Sequence, residues 1–309
     1  MFKLFFLSAV ILSLQACTTF DRTTPSLKRT IVDDSVVKSG DDMGVRKRLM
    51  VLPFLDVSGK KTSQLVEDAR RALLLDLQKG GEFVVIQNSD LKMDLENLKN
   101  DQGYKLEEIS KNAKNIGANA IIEGKLLDVR VARSSDNIGL VRNLTTTFEV
   151  VAQIRVMNTR THKEVFNTIK TVSLEQKNIR VAERVESDRF IENNPELIRV
   201  LVKDAFLEFS QQIVGSLDRV TWEGRIAAIN GDRLFLNVGR VSGIQIGDLL
   251  RVTEDGDDIY DPESGGHLGK VQGRLKGTLE VISYFGVDGA IAVIHSGSGF
   301  RENDRVELY

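Results

Sequence analysis

Residues 147–157, Thr-Phe-Glu-Val-Val-Ala-Gln-Ile-Arg-Val-Met, contain the clearest structural pattern in the chain. Apolar side chains occupy every second position from 148 to 156, and polar ones such as Arg155 lie between them. This alternation predicts a strand with one face on a core and the other in solvent. Residues 164–174 are its predicted antiparallel partner, across a polar turn at 158–163.

The segments on either side predict a layered domain of helices on a mixed sheet. Two continuous apolar runs, 48–54 and 82–87, indicate strands buried on both faces, and 118–131 indicates another strand. Apolar side chains at helical spacing predict helices over residues 65–77, 89–98, 106–116 and 195–214. The order of these elements predicts an α+β fold for residues 45–217.

Residues 220–309 have a different pattern, in which short apolar runs are separated by glycine-containing turns. Such spacing predicts a small all-β barrel or sandwich as a second domain. We expect Trp222, the one tryptophan of the chain, to lie in the barrel core or between the domains rather than in a ligand site.

The amino terminus predicts a signal peptide and a lipid anchor. Lys3 precedes an apolar run, residues 4–14, which fits a signal peptide ending at residue 16. Leu14-Gln-Ala-Cys17 resembles the bacterial lipoprotein signal, and Cys17 is the one cysteine of the chain. The resemblance implies acylation of Cys17, and Thr18 after it implies attachment to outer-membrane lipid, facing the periplasm. Residues 17–44 are then a flexible tether behind the lipidated cysteine.

Composition excludes several classes of function. A formal charge of −2, from 42 basic and 44 acidic residues, gives no basic field for nucleic acid. One cysteine excludes a disulfide framework, and three histidines offer little for metal chemistry. The acidic segment 255–261 departs from a calcium loop, with Tyr260 and Gly266 where glycine and glutamate are needed. We therefore expect no catalytic, cofactor or metal site, and a protein that is not an enzyme.

Several stretches resemble known envelope proteins. Residues 51–59, 83–86, 116–124 and 155–165 look like the curli secretion channel (CsgG) family and its relatives, which include the amino-terminal domain of TolB. Residues 235–248 and 261–269 resemble the carboxy-terminal barrel of flagellar assembly protein T (FlgT). The resemblance implies a homo-oligomeric scaffold that assembles with envelope or flagellar basal-body proteins.

The alternative that the same resemblance implies is an outer-membrane secretion channel. Its membrane hairpins would come from residues 132–146 and 175–194. The first segment has no aromatic residue, and the charged residues of the second include Lys177, Arg180, Glu183, Arg184, Glu186, Asp188 and Arg189. Membrane strands need roughly 9–11 residues with alternating lipid-facing apolar side chains. The sequence therefore favours the scaffold over the channel.

Overall fold

The structure is a computed structural model. It describes residues 44–59, 63–91, 93–100, 103–135, 143–179, 195–271 and 273–309. These residues form an α+β domain followed by a closed barrel, and the two domains belong to one compact unit. The predicted fold class is thereby confirmed.

A mixed sheet organises the first domain. Its strands are β1 (Lys47–Val51), β2 (Leu55–Asp56), β3 (Phe83–Ile86), β6 (Ala120–Ser135), β7 (Asn143–Asn158) and β8 (Lys163–Ile179), and a separate small hairpin pairs β4 (Lys99–Asn100) with β5 (Gly103–Tyr104). The order is β3-β1-β6-β7-β8, with β2 also paired to β6. The pairs among β1, β2, β3 and β6 are parallel, whereas β6, β7 and β8 form an antiparallel meander.

Among the described residues of this domain, the helices are α1 (Ser63–Lys79), α2 (Leu106–Asn115), α3 (Pro195–Leu207) and α4 (Ser210–Leu217). Strand β1 is buried on both faces. Leu49 and Val51 belong to the core under α1, α3 and α4, whereas Met50 and Leu52 belong to a second core with α2. Because helices cover both faces of β1, its sequence is a continuous apolar run.

Strand β7 shows the opposite pattern. Its alternate apolar side chains, including Phe148 and Ile154, are buried under the helices, whereas those between them are partly exposed. One covered face gives an alternating sequence. No helix of the described residues is long and apolar enough to cross a membrane.

Two helix predictions need correction. Residues 89–98 were predicted as one helix but form two short 3₁₀ turns, Asn88–Asp90 and Glu96–Leu98. The predicted helix 195–214 divides between α3 and α4. At the division, the amide of Phe209 bonds to the carbonyl of Phe206, three residues back, and the buried Phe209 ring packs edge-on against Phe166. The packed Phe209 ring therefore lies at the point where the predicted helix divides into α3 and α4.

The second domain is a closed six-stranded barrel. Its strands are β9 (Gly224–Asn230), β10 (Arg233–Leu236), β11 (Leu249–Thr253), β14 (Leu275–Phe285), β15 (Gly289–Gly297) and β16 (Arg305–Leu308), and a hairpin outside the barrel pairs β12 (Asp258–Tyr260) with β13 (His267–Lys270). Closure occurs where β16 pairs with β9. Gly224 is required there, because a Cβ would lie 2.5 Å from a methyl of Val238. Trp222 is 6% exposed and packs in the barrel core, as predicted.

Candidate interaction surfaces and the seam between the domains

A buried asparagine links the two domains. The side chain of Asn119, at the start of β6, accepts a bond from the amide of Arg48 at 2.8 Å. It also donates to the carbonyl of Glu223 at 3.0 Å, just before barrel strand β9. The guanidinium of Arg48 donates to the carbonyl of Asn237 in the barrel. We call this contact between the two domains the seam. Its bonds between side chains and main-chain groups hold the two domains in one relative position.

Two buried carboxylates of the barrel form the charged part of the seam. Glu307 lies 2.9–3.3 Å from the guanidinium nitrogens of Arg251, Arg305 and Arg160. Of these, Arg160 comes from the turn between β7 and β8, so it joins the α+β domain to the barrel. Glu223 pairs with Arg225 at 3.0 Å and lies 3.8–3.9 Å from two of the same arginines, Arg305 and Arg160.

A third link comes from helix α2. The ammonium of Lys114 donates to Asp255 of the barrel at 2.6 Å, and the same carboxylate lies 3.6 Å from Arg225. These seam groups carry five positive charges against the three carboxylates Glu223, Asp255 and Glu307. Burial is the main cause that lowers the pKa of the Arg305 guanidinium, and Arg160 acts in the same direction, whereas Glu307 and Glu223 oppose the shift.

The segment just before β1 lies against the barrel. The amide of Arg46 donates to the carbonyl of Ser242, and Val45 packs against the barrel core. Gly243 has φ +85°, and a Cβ there would lie 2.6 Å from the carbonyl oxygen of Gly44. The segment that precedes β1 is therefore part of the seam.

A separate buried ion cluster lies on β6 beside the β4–β5 hairpin. Glu123 is fully buried, accepts a bond from the amide of Tyr104 at 2.6 Å, and pairs with Arg155 at 3.0 Å and Lys125 at 3.3 Å. Burial, together with the carboxylates of Glu96 and Glu123, raises the pKa of the Tyr104 phenol well above its ordinary value. Every charge near Glu123 is met by an opposite one, so we assign the cluster a structural role.

Strand β8 is the edge of the sheet and one of its longest strands. It contains 17 residues, roughly 55 Å of extended chain, and among the described strands it pairs with β7 alone. The side chains on its outer face between Glu164 and Glu175 include Asn167, Ile169, Thr171 and Ser173, all exposed and uncharged. Lys170 points the other way, where its ammonium donates to the carbonyl of Glu208 and lies over the Phe209 ring. The middle of this edge therefore has no outward charge.

A cavity of about 780 Å³ opens beside the seam. Its walls are the turn between β7 and β8, the segment between α4 and β9, and barrel residues near β11, β13 and β16. Four basic side chains line it: Arg160, Lys163, Arg219 and Arg305. The one carboxylate among its lining residues, Glu164, is paired with Arg155.

Of the residues singled out from the sequence, Cys17 and the tether up to residue 43 are outside the described residues, as are 136–142 and 180–194 of the suggested membrane hairpins. His162 lies in the β7–β8 turn, where its Nδ1 is 2.7 Å from the hydroxyl of Ser110, and His295 lies on β15. Within the described ranges, no group of three or more His, Cys, Asp or Glu residues is placed to hold a metal.

The acidic segment 255–261 is divided between roles. Asp255 belongs to the seam, whereas Asp261 accepts main-chain bonds from Glu263 and Ser264, both at 2.8 Å. These bonds favour the carboxylate and lower the pKa of Asp261. The sequence predicted a solvated hairpin turn for this segment; instead, Asp258–Tyr260 form strand β12, and Asp261 begins the turn that follows it.

Comparison with known proteins gives likeness in structure only. No protein-family profile and no curated protein sequence matches the chain. Similar solved structures include a hypothetical protein, CT253, from Chlamydia trachomatis, with 10% identity and a TM-score of 0.35 over 56% of this chain and 98% of the other. Lipoprotein GNA1162 from Neisseria meningitidis has 13% identity and a TM-score of 0.28, over 50% of this chain and 96% of the other.

TolB from Acinetobacter baumannii is also similar, with 11% identity and a TM-score of 0.28 over 80% of this chain and 57% of the other. The structures similar to this chain thus include a bacterial lipoprotein and a TolB, two kinds of protein that the sequence resemblance indicated. At these TM-scores the likeness assigns neither a family nor a function.

Proposed function

We propose that this protein is a lipid-anchored, non-enzymatic scaffold of the bacterial envelope, which assembles by covering the edge of β8 that no other described strand pairs with. Cys17 would attach it to the inner leaflet of the outer membrane, facing the periplasm. The sequence resemblance to the curli channel family and to flagellar assembly protein T favours a flagellar basal-body ring or a related surface apparatus as the larger complex.

The edge of β8 carries this proposal. About half of the main-chain groups of an edge strand point away from the sheet and need a partner or water. Proteins that stay apart usually protect such an edge with charges, proline or a covering element. Residues 165–174 have no outward charge and no proline. A second copy or a partner strand would complete the hydrogen bonding along this edge.

The seam explains how a second surface could act with the first. Because Asn119 and the Arg160–Glu307 pair hold the barrel to the α+β domain, the barrel has a fixed orientation relative to β8. The barrel exposes apolar side chains such as Val287 (92% exposed) and Ile246 (59%). In an assembly joined at β8, every copy would hold its barrel in the same relation to the β8 contact.

The test is the mass of the lipidated protein in mild detergent, measured by size-exclusion chromatography with light scattering. We expect a defined homo-oligomer. Substituting Ile169→Lys and Thr171→Lys together should give monomers, because the outward charges oppose strand pairing. The matched control, Leu75→Lys with Val200→Lys, adds the same charge at exposed positions on helices α1 and α3 and should keep the oligomer. A monomeric parent protein, or an oligomer in both double variants, would contradict the proposal.

A second candidate, the secretion channel, is favoured by one observation. Strands β6, β7 and β8 contain 16, 16 and 17 residues, far longer than the typical five or six, and they run into the two suggested hairpin segments. The described ends of these strands, including 132–135 and 143–147, are rich in Ser and Thr, unlike a lipid-facing surface. Conductance across planar bilayers that is lost on deleting 136–142 and 180–194 would establish the channel instead.

A further inference from the structure

We propose that the cavity beside the seam binds a small, multiply charged oxyanion, a phosphate ester or a polycarboxylate. This inference is independent of the assembly at β8. Its volume, about 780 Å³, falls in the range of small-molecule sites and exceeds what a single phosphate would fill.

The charge of the lining supports an anion. Arg160, Lys163, Arg219 and Arg305 line the cavity, and its one carboxylate, Glu164, is already neutralised by Arg155. Carboxylates behind the wall compensate Arg160 and Arg305 in part. Lys163 and Arg219 are exposed, and within the described part of the chain neither has a carboxylate within 4 Å. Two exposed cations among the lining residues are therefore available to a ligand.

An unsatisfied donor at the wall points to the same ligand. Arg305 is 3% exposed, and its Nε bonds to the hydroxyl of Thr253 at 3.0 Å. Its Nη2 has no hydrogen-bond partner among the described residues. A buried guanidinium nitrogen without an acceptor is costly, and the planar fork of arginine fits the oxygens of a carboxylate or phosphate. Since Nη2 itself has essentially no exposed surface, it would reach an oxyanion in the cavity only after the Arg305 side chain shifts.

Neutral donors also line this cavity. Thr161 and Thr221 are exposed on opposite walls, one in the β7–β8 turn and one in the segment before β9. Their hydroxyls could bond phosphate or carboxylate oxygens that the cations attract. Because one wall belongs to the α+β domain and the other to the barrel, a bound anion would contact both domains.

The experiment is calorimetric titration of the full-length lipidated protein in detergent with inorganic phosphate and with citrate, at constant ionic strength. We expect saturable binding of at least one probe. Lys163→Gln with Arg219→Gln should weaken it about tenfold or more, because two charge-assisted contacts are lost. The matched control, Lys203→Gln with Arg233→Gln, removes the same two charges from exposed positions outside the cavity and should bind within about twofold of the parent.

A third arm identifies the source of the oxyanion. The protein is mixed with vesicles of phosphatidylglycerol and phosphatidylcholine, and binding is compared with vesicles of phosphatidylcholine alone. One outcome is that the parent and the control variant bind the vesicles, the cavity variant does not, and no free phosphate or citrate binds. That outcome would support the site, with a lipid headgroup as its ligand. No binding of any probe up to about 10 mM, or equal loss in both double variants, would overturn the proposal. Trp222 fluorescence on heating verifies that both variants fold.

Discussion

Replacing Asn119 by alanine removes the two side-chain bonds that join β1 and β6 to the barrel. The amide of Arg48 and the carbonyl of Glu223 would then lie inside the protein without their partner. Each unsatisfied buried group costs about 1–3 kcal/mol, so the free energy of unfolding should fall by about 2–6 kcal/mol. Since about 1 kcal/mol corresponds to a change of 2–4 °C in a chain near this size, the melting temperature should fall by roughly 5–20 °C.

The chain provides a separate probe for each domain. Trp222 is the one tryptophan and packs in the barrel core, so its fluorescence follows the barrel. Helices α1 to α4 all belong to the α+β domain, so far-ultraviolet circular dichroism follows that domain. With the seam intact, the two transitions should coincide. In Asn119→Ala both midpoints should fall, and the barrel and α+β transitions should separate.

The measurement uses a soluble Cys17→Ser protein as the parent. Asn112→Ala is the matched control, because Asn112 is exposed on α2 and bonds only to the carbonyl of Glu108. Its midpoint should stay within about 1–2 °C of the parent, as for other surface changes. A variant at Asn119 that melts within this same interval, with coincident transitions, would refute the seam as a stabilising contact.

Four further predictions concern single positions. Glu307→Gln removes the nearest carboxylate of three arginines, of which Arg160 and Arg305 keep only the more distant Glu223, and should lower the free energy of unfolding by about 3 kcal/mol in urea denaturation. Gly224→Ala forces a methyl against Val238 and should cost about 1–3 kcal/mol, with the loss seen first in tryptophan fluorescence. Cys17→Ser should move the protein from the membrane to the soluble fraction and remove the mass of the lipid. The Asp261 carboxyl should titrate below its ordinary pKa by NMR. The stability that it contributes is present above the unfolded-state pKa and is lost as the pH falls through the lower, folded-state pKa, so Asp261→Asn should abolish that pH dependence.

Most of the fold can be predicted from the sequence, because burial determines which positions along a strand are apolar. Strand β1 is apolar throughout since both faces are covered, and β7 alternates since one face is covered. The ends of the long strands were missed. Residues 132–135 and 143–146 are polar, and their strands are held by main-chain pairing that requires no apolar side chain.

The seam was also missed, although it left a signal. Asn119 interrupts the apolar run 118–122, and a polar residue inside such a run often has a buried partner. The partners Glu223, Arg305 and Glu307 come from distant parts of the chain. No local pattern pairs residues more than a hundred positions apart, so only the folded structure brings these groups together.

Hydrogen exchange along β8 tests the proposed assembly most directly. In the lipidated oligomer, we expect the amides of residues 165–175 to be protected at nearly every position, because β7 covers one side of the strand and a neighbouring chain covers the other. In the Ile169→Lys, Thr171→Lys protein, alternate amides should exchange rapidly while those bonded to β7 stay protected. Rapid exchange of the outward amides in the intact oligomer would show that the edge is open and that assembly occurs elsewhere.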